Sequence, residues 1–187
     1  MEKISSMLDQ FTDLGEEAKA AFASELELLN VERGELLERE GTVCNFLYFI
    51  REGSVRSYYI RDNKDVTVSF TLDGEFVTAM HSFISRKPSY ENIEAMERTT
   101  IAKISHDSLQ RLFAFDIELE RAYRMILEQY YIALEEQLIF AKFKSARERY
   151  LNLMENRPKV VQKASVGQIA SYLDMSIETL SRIRGKI

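Results

Sequence analysis

The stretch Ser165-Val166-Gly167-Gln168-Ile169-Ala170-Ser171-Tyr172-Leu173-Asp174-Met175-Ser176-Ile177-Glu178-Thr179-Leu180-Ser181-Arg182-Ile183 decides how this chain is read. It divides into helix, tight turn and helix. Ser165 is a good N-cap, and Gln168 three residues on completes a capping box. Ile169, Ala170 and Leu173 share the inner face of the first helix, where the small Ala170 admits a close neighbour. Asp174-Met175 makes the turn. Ser176 caps the second helix, and Glu178 lies in its first turn, where negative charge suits the helix dipole. Leu180 and Ile183 face inward.

This leaves Ile177, Glu178, Ser181 and Arg182 on the outer face of the second helix, near its N-terminal end. In a helix-turn-helix that end meets base edges. An arginine suits a bidentate contact to guanine, a glutamate accepts from cytosine N4, and an apolar side chain such as Ile177 suits a thymine methyl. Ser165, Ser176, Thr179, Arg184 and Lys186 are candidate contacts to the phosphate backbone, with Lys142, Lys144 and Arg147 beside them. On spacing alone, an ordinary helical hairpin with a solvated Glu and Arg fits the same pattern.

Charge separates this end from the rest. The net charge of the chain is −5. Residues 141–187 carry 10 Lys/Arg against 4 Asp/Glu, and residues 1–140 carry 15 against 26. A basic segment on an acidic body is the distribution expected when one small unit faces an anion.

Upstream, no Gly or Pro interrupts Ser105 to Arg157. The pattern predicts a long helix over about 106–144, with a second helical stretch from Ser145 to Asn156 ended by Pro158. Tyr123, Leu127, Tyr130, Leu134, Leu138 and Ala141 form one stripe, widened by Ile126 and Ala133. One side of such a helix covers its own domain. The other has no cover within a monomer, so a two-fold helix pair through Tyr123, Leu127, Tyr130 and Leu134 is expected.

Residues 31–104 are organised as short strands and turns. Phe46-Leu47-Tyr48-Phe49-Ile50 is an apolar run, Glu52-Gly53-Ser54 a turn, and Val55 to Ile60 a β-rich run. Arg61-Asp62-Asn63-Lys64 is a polar turn, Val66 to Thr71 alternates, and Asp73-Gly74 turns again. Ile93 to Met96 and Thr100 to Ile104 complete a pattern that suggests a sandwich or small barrel. Before it, the spacing of Leu14, Ala18, Ala21, Phe22, Leu26 and Leu29 predicts a helix over about 13–29, with Asp13 as its cap.

The recognition segment resembles that of the cyclic-AMP receptor protein / fumarate-nitrate regulator family, whose second helix carries Ser-x-Glu-Thr-x-x-Arg. Here the pattern stands as Ser176-Ile177-Glu178-Thr179-Leu180-Ser181-Arg182. Residues 41–55 (GTVCNFLYFIREGSV) are similar to the family's early β-roll, and residues 64–76 (KDVTVSFTLDGEF) to the strand and turn that lead to its ligand cassette. The resemblance covers nearly the whole chain.

It implies an α+β fold: an N-terminal jelly-roll sensor of the cyclic nucleotide-binding type over 1–112, a dimerisation helix over 113–144 and a helix-turn-helix over 145–187. The chain ends at Ile187, so most or all of the family's β-wing is expected to be missing. The implied function is that of a bacterial, cytoplasmic DNA-binding transcription regulator. Its implied partners are double-stranded DNA bearing an inverted repeat, a second copy of the chain and RNA polymerase. The alternative is a ligand- or protein-binding β-barrel module without sequence-specific DNA binding.

The resemblance also places an effector pocket at Thr78, Ala79, Met80, Phe83, Ser89, Tyr90 and Tyr123. Members that bind cyclic AMP have a Gly-Glu pair and then an Arg-Ser pair there, for the ribose and the phosphate. This chain has Thr78-Ala79 and Ser89-Tyr90 in those places, with Arg86-Lys87 offset. A buried cyclic phosphate without a placed cation is costly, so the expected effector is an unknown small molecule other than cyclic AMP, or none. His81 lies in the same region but lacks a second haem ligand. The aromatics Tyr58, Tyr59, Phe70, Phe76, Phe83 and Tyr90 are expected mainly in the core.

No P-loop, nucleophile elbow or HExxH is found, so an enzyme is not expected. One cysteine, Cys44, and two histidines leave no metal or cofactor set. No secretory h-region and no apolar run of membrane-spanning length occurs, so no membrane partner is expected.

Overall fold

The computed structural model describes residues 15–187. The proposed Asp13 cap lies outside them. Helix α1 (Glu16–Ser24) starts from Gly15 without a side-chain cap, and buries Ala18 and Phe22. It is shorter than the spacing predicts. Leu29 belongs instead to strand β1 (Glu27–Val31), which pairs with β8 (Thr99–Ser105). Its helical spacing is overridden by a ladder partner distant in sequence.

Eight strands make two four-stranded antiparallel sheets. One runs β1-β8-β3-β6, with β3 at Phe46–Glu52 and β6 at Phe76–Val77. The other runs β2-β7-β4-β5, with β2 at Leu36–Glu38, β7 at Asn92–Ala95, β4 at Ser54–Arg61 and β5 at Lys64–Leu72. Phe49, Ile50, Val55, Ile93, Ile101 and Ile104, drawn from both sheets, belong to one buried apolar cluster. The result is the expected jelly-roll type of sandwich.

Two turns carry the sharpest local constraints. Asp62 and Asn63 both take positive φ (52° and 60°). That is the two-residue geometry whose twist matches an antiparallel hairpin, here β4 to β5. Gly53 has φ +105°, and a Cβ there would stand 2.5 Å from Thr99 Oγ1. The turn between β3 and β4 therefore requires glycine, because adjacent backbone fills the space of a side chain.

Helix α2 (Met80–Ser85) follows β6. The long helix expected over 106–144 is two helices, α3 (His106–Phe115) and α4 (Ile117–Phe143). Asp116 is extended between them, and its carboxylate accepts from the N–H groups of Glu118 and Leu119. A side chain that caps well competes with helix continuation, so the chain turns there without Gly or Pro. No helix among the described residues is long and apolar enough to cross a membrane.

Helix α5 (Ala146–Asn156) restarts after an extended Lys144, under a full capping box between Ser145 and Glu148. Pro158 ends α5 and also opens a short helix, α6 (Pro158–Lys163), at the first position, where its missing N–H is harmless. Helices α7 (Val166–Tyr172) and α8 (Ile177–Arg184) complete the chain. A second apolar cluster joins Tyr150, Leu153, Val160, Ile169, Ala170, Leu173 and Leu180 to Phe70 and Leu72 of β5. The four C-terminal helices and strand β5 thus share a core.

Candidate nucleic-acid interface and sensor cleft

The turn between α7 and α8 is built as its sequence suggests. Ser165 Oγ accepts from Gln168 N–H at 3.2 Å, and Gln168 Oε1 accepts from Ser165 N–H at 2.8 Å. At the other end of α7, Met175 N–H donates to Ala170 O and Asp174 N–H to Ser171 O. Asp174 is left-handed, with φ 49°. These paired bonds close the helix in a Schellman arrangement, which an aspartate tolerates. Ser176 Oγ then caps α8 by accepting from Thr179 N–H.

Leu180 is fully buried beneath α8, whereas Ile177, Glu178, Ser181 and Arg182 are all exposed. The four candidate base readers therefore share an open surface. Hydrogen bonds from its own backbone N–H and from Ser176 hold the Glu178 carboxyl below the usual range, so it is ionised at neutral pH. Arg182 Nη2 donates to Thr179 Oγ1 at 3.3 Å, which steadies the guanidinium and leaves its remaining donors outward. Among the backbone candidates, Lys186, Ser165 and Ser176 are exposed and Thr179 is half-buried. Arg184 is half-buried too, donating from Nε to the Tyr150 hydroxyl at 3.0 Å.

The basic surplus of residues 141–187 is partly consumed inside the molecule. Arg157, Lys159 and Lys163 pair with Glu75, Asp73 and Glu97 of the sensor. Arg149 donates to the carbonyls of Ala141, Lys144 and Asp174. Lys142, Lys144, Arg147, Arg182 and Lys186 remain exposed. Counting charge along the sequence could not separate these two groups.

On the stripe expected to pair with a second copy, Tyr123 and Leu127 are half-buried within the protomer, while Tyr130, Leu134 and Leu138 are exposed. The stripe turns from its own sensor outward along α4. Tyr123 packs against Phe113 at 5.1 Å and closes a small cavity of about 20 Å3 with Phe22, Leu47 and Phe76.

The seven residues expected at the effector pocket differ in their surroundings. Thr78, Ala79, Phe83 and Ser89 are buried, and Met80 is half-buried. Thr78 Oγ1 donates to Phe46 O at 2.8 Å and lies 3.1 Å from Cys44 Sγ. Cys44 is fully buried, and burial pushes its thiol up to about 11, the behaviour of a structural rather than a reactive cysteine. Tyr90 is exposed and stacks on His81 at 4.9 Å instead of entering the core. Tyr123 stands at the α3–α4 contact. Arg86 is pinned by Cys44 O, Phe83 O and Asn45 Oδ1.

Sequence reading passed over Glu91. Its side chain hydrogen-bonds with Ser57 of β4, and Tyr59 and Tyr130 lie within electrostatic range. Burial pushes its carboxyl up to about 7, and the Ser57 hydroxyl only partly offsets this. A folded-state value above the unfolded one means that the contribution of this group to stability is fully present below about pH 4.5 and is lost as pH rises through 7. Glu91→Gln is expected to flatten this window and to stabilise the protein at pH 8 by on the order of 2 kcal/mol. Urea midpoints at pH 5 and 8 check it. An equal pH response in both proteins contradicts it. The signal in the sequence was period two: Glu91 shares the parity of the buried Ser89 and Ile93.

A family profile described as the cyclic nucleotide-binding domain matches residues 28–116. The anaerobic regulatory protein of Haemophilus influenzae is 23% identical over 168 residues, covering 83% of this chain and 65% of that protein. The fumarate and nitrate reduction regulatory protein of Vibrio cholerae is 24% identical over 168 residues, covering 83% and 66%. The chain thus spans just under two thirds of the length of these relatives. The structure of FixK2 from Bradyrhizobium japonicum superposes with a TM-score of 0.76 at 19% identity, over 86% of this chain and 83% of that one. A sandwich matching the cyclic nucleotide-binding domain over residues 28–116, a long α4 and a capped helix-turn-helix follow one another along the chain, which as a whole is similar to regulators of the cyclic-AMP receptor protein / fumarate-nitrate type.

Proposed function

We propose that the protein is a DNA-binding transcription regulator that acts as a homodimer on an inverted repeat in the bacterial cytoplasm. The observation that carries this reading is the open face of Ile177, Glu178, Ser181 and Arg182 on a helix whose inner side is anchored by Leu180. Relatives of this family are regulatory proteins and not enzymes. No specific observation favours the alternative of a binding module without DNA recognition. The division into a sensor over 1–112, a dimerisation helix over 113–144 and a DNA unit over 145–187 belongs to the same proposal. It is adjusted by one feature: α4 begins only after the Asp116 cap.

The dimer supplies what one protomer lacks. Tyr130, Leu134 and Leu138 have no cover on α4, and a second copy related by a two-fold axis buries them. Two α8 helices related by that axis enter successive major grooves about 34 Å apart. RNA polymerase is the partner that a bound regulator of this kind would contact.

The test is selection from random duplexes followed by titration at two salt concentrations. The wild-type dimer is expected to select an inverted repeat and to bind it with steep salt dependence. Arg182→Ala is expected to cost about 1–3 kcal/mol at the selected site and to relax its guanine preference. Lys186→Ala is expected to weaken all sequences alike and to lower the salt slope by about one unit. If the intact protein selects no sequence and shows no salt-dependent affinity, the binding-module reading replaces this one.

The effector, where one exists, is not cyclic AMP. Arg86 is held by backbone carbonyls and Asn45, and Arg56 by Asp65, Glu94 and Thr67, while Glu91 adds a carboxyl within electrostatic range of Tyr130. A cyclic phosphate there would be desolvated without a counter-charge. Saturating cyclic AMP is expected to leave the melting temperature unchanged. A ligand at 100 times its Kd would add about 2.7 kcal/mol, so a clear upward shift overturns this reading.

A further inference from the structure

The DNA unit is joined to α4 by one covalent link, the extended pair Lys144-Ser145. Arg149 braces that joint from inside, through Ala141 O, Lys144 O and Asp174 O. Everything else that orients the unit comes from the outer face of its own sensor.

Three ion pairs make that attachment. Arg157 Nη2 reaches both oxygens of Glu75 at 2.7 Å, and its Nη1 donates to Phe70 O at 3.1 Å. Glu75 is itself fixed, because its Oε2 accepts from Leu72 N–H at 2.9 Å. Lys159 reaches Asp73 at 3.1 Å. Lys163 pairs with Glu97, whose Oε1 also accepts from Ser54 Oγ at 2.7 Å. Thr67 N–H donates to Ser171 Oγ at 3.2 Å, and the Phe70 and Tyr172 rings meet edge to face at 5.1 Å.

The carboxylates sit on two separate turns, after β5 and after β7, and the cations sit at both ends of α6. A single exposed pair is worth little. Three pairs anchored on two turns around an apolar contact resist rotation, because a swing about 144–145 must break them together. Resting on the DNA-binding reading above, we propose that Asp73, Glu75 and Glu97 of the sensor are specificity-determining positions for DNA: by clamping α6 they fix the angle between α8 and the dimer helix, and so the spacing between half-sites. They do this without touching DNA, since carboxylates on the sensor would be repelled by phosphate.

The test uses the full-length chain with Asp73→Asn, Glu75→Gln and Glu97→Gln combined. Binding is measured to one isolated half-site duplex and to a series of inverted repeats whose spacers differ by single base pairs. Wild type is expected to prefer one spacer. The triple variant is expected to hold the isolated half-site within about threefold of wild type and to lose about tenfold at the preferred spacer. Neighbouring spacers should then become nearly equivalent. A charge swap, Glu75→Arg with Arg157→Glu, should restore part of the preference.

An unchanged spacer profile in the triple variant overturns the proposal. So does a uniform rise in affinity for every duplex, which would mean that the carboxylates only mask cations from phosphate. If the triple variant does not fold, Glu75→Gln alone is judged by the same profile. Failure of wild type to bind even the half-site is a different result and refutes the DNA-binding reading itself.

Discussion

Leu127→Glu is expected to yield a monomer that no longer binds its operator. Leu127 is half-buried within the protomer and lies on the stripe that continues through Tyr130, Leu134 and Leu138. In a two-fold helix pair the substitution sets two carboxylates close together in a desolvated seam. An uncompensated buried charge costs about 3–5 kcal/mol, enough to dissociate a dimer of ordinary affinity at micromolar concentration. DNA affinity falls further, because one recognition helix loses the effective concentration that the other provides. The control is Ile132→Glu. Ile132 is also exposed but lies on the opposite face of α4, so the dimer is expected to persist. Sedimentation velocity reads both variants. A wild-type monomer, or dissociation by Ile132→Glu but not by Leu127→Glu, contradicts the assignment of the seam.

Leu180→Ala is expected to destabilise the DNA unit by about 2–5 kcal/mol, the range for a buried leucine truncated in a close-packed site. Leu180 is fully buried, and its cluster includes Tyr150, Leu153, Val160, Ile169, Ala170 and Leu173, with Phe70 and Leu72 of β5. A cavity there loosens α8 from α5 and α7 and weakens the seat of the unit on the sensor. Ser181→Ala, one residue along and exposed, is expected to change stability by no more than about 0.5 kcal/mol. Denaturant unfolding of the two variants separates a packing role from a surface role. Equal stabilities would mean that α8 is not held by this cluster.

The elements that sequence reading missed share a physical cause. The ends of α3 and α4 were hidden because Asp116 stops a helix by capping the next one, a signal weaker in sequence than Gly or Pro. Leu29 kept a helical spacing after α1 yet paired with Ile101 of β8, about seventy residues away. Tyr90 reads as a core aromatic, but in this fold it faces solvent against His81. Glu91, on the inward parity, was overlooked in favour of its neighbours.

What the sequence by itself determined is local: the capping box at Ser165, the Ser176 cap, the Asp174 turn, the turn at Asp62-Asn63 and the outward set of α8. Each depends on residues within about four positions of one another, where side-chain chemistry and helical or strand period suffice. Tertiary structure alone decided which C-terminal cations are free and which are held by Asp73, Glu75 and Glu97, since those partners lie 66 to 86 residues away. It also decided that Glu91 lies within electrostatic range of Tyr130 while Tyr90 packs on His81. An ion pair or a buried carboxyl is a relation between distant segments, and its energy depends on the dielectric and the counter-charges that folding assembles around it.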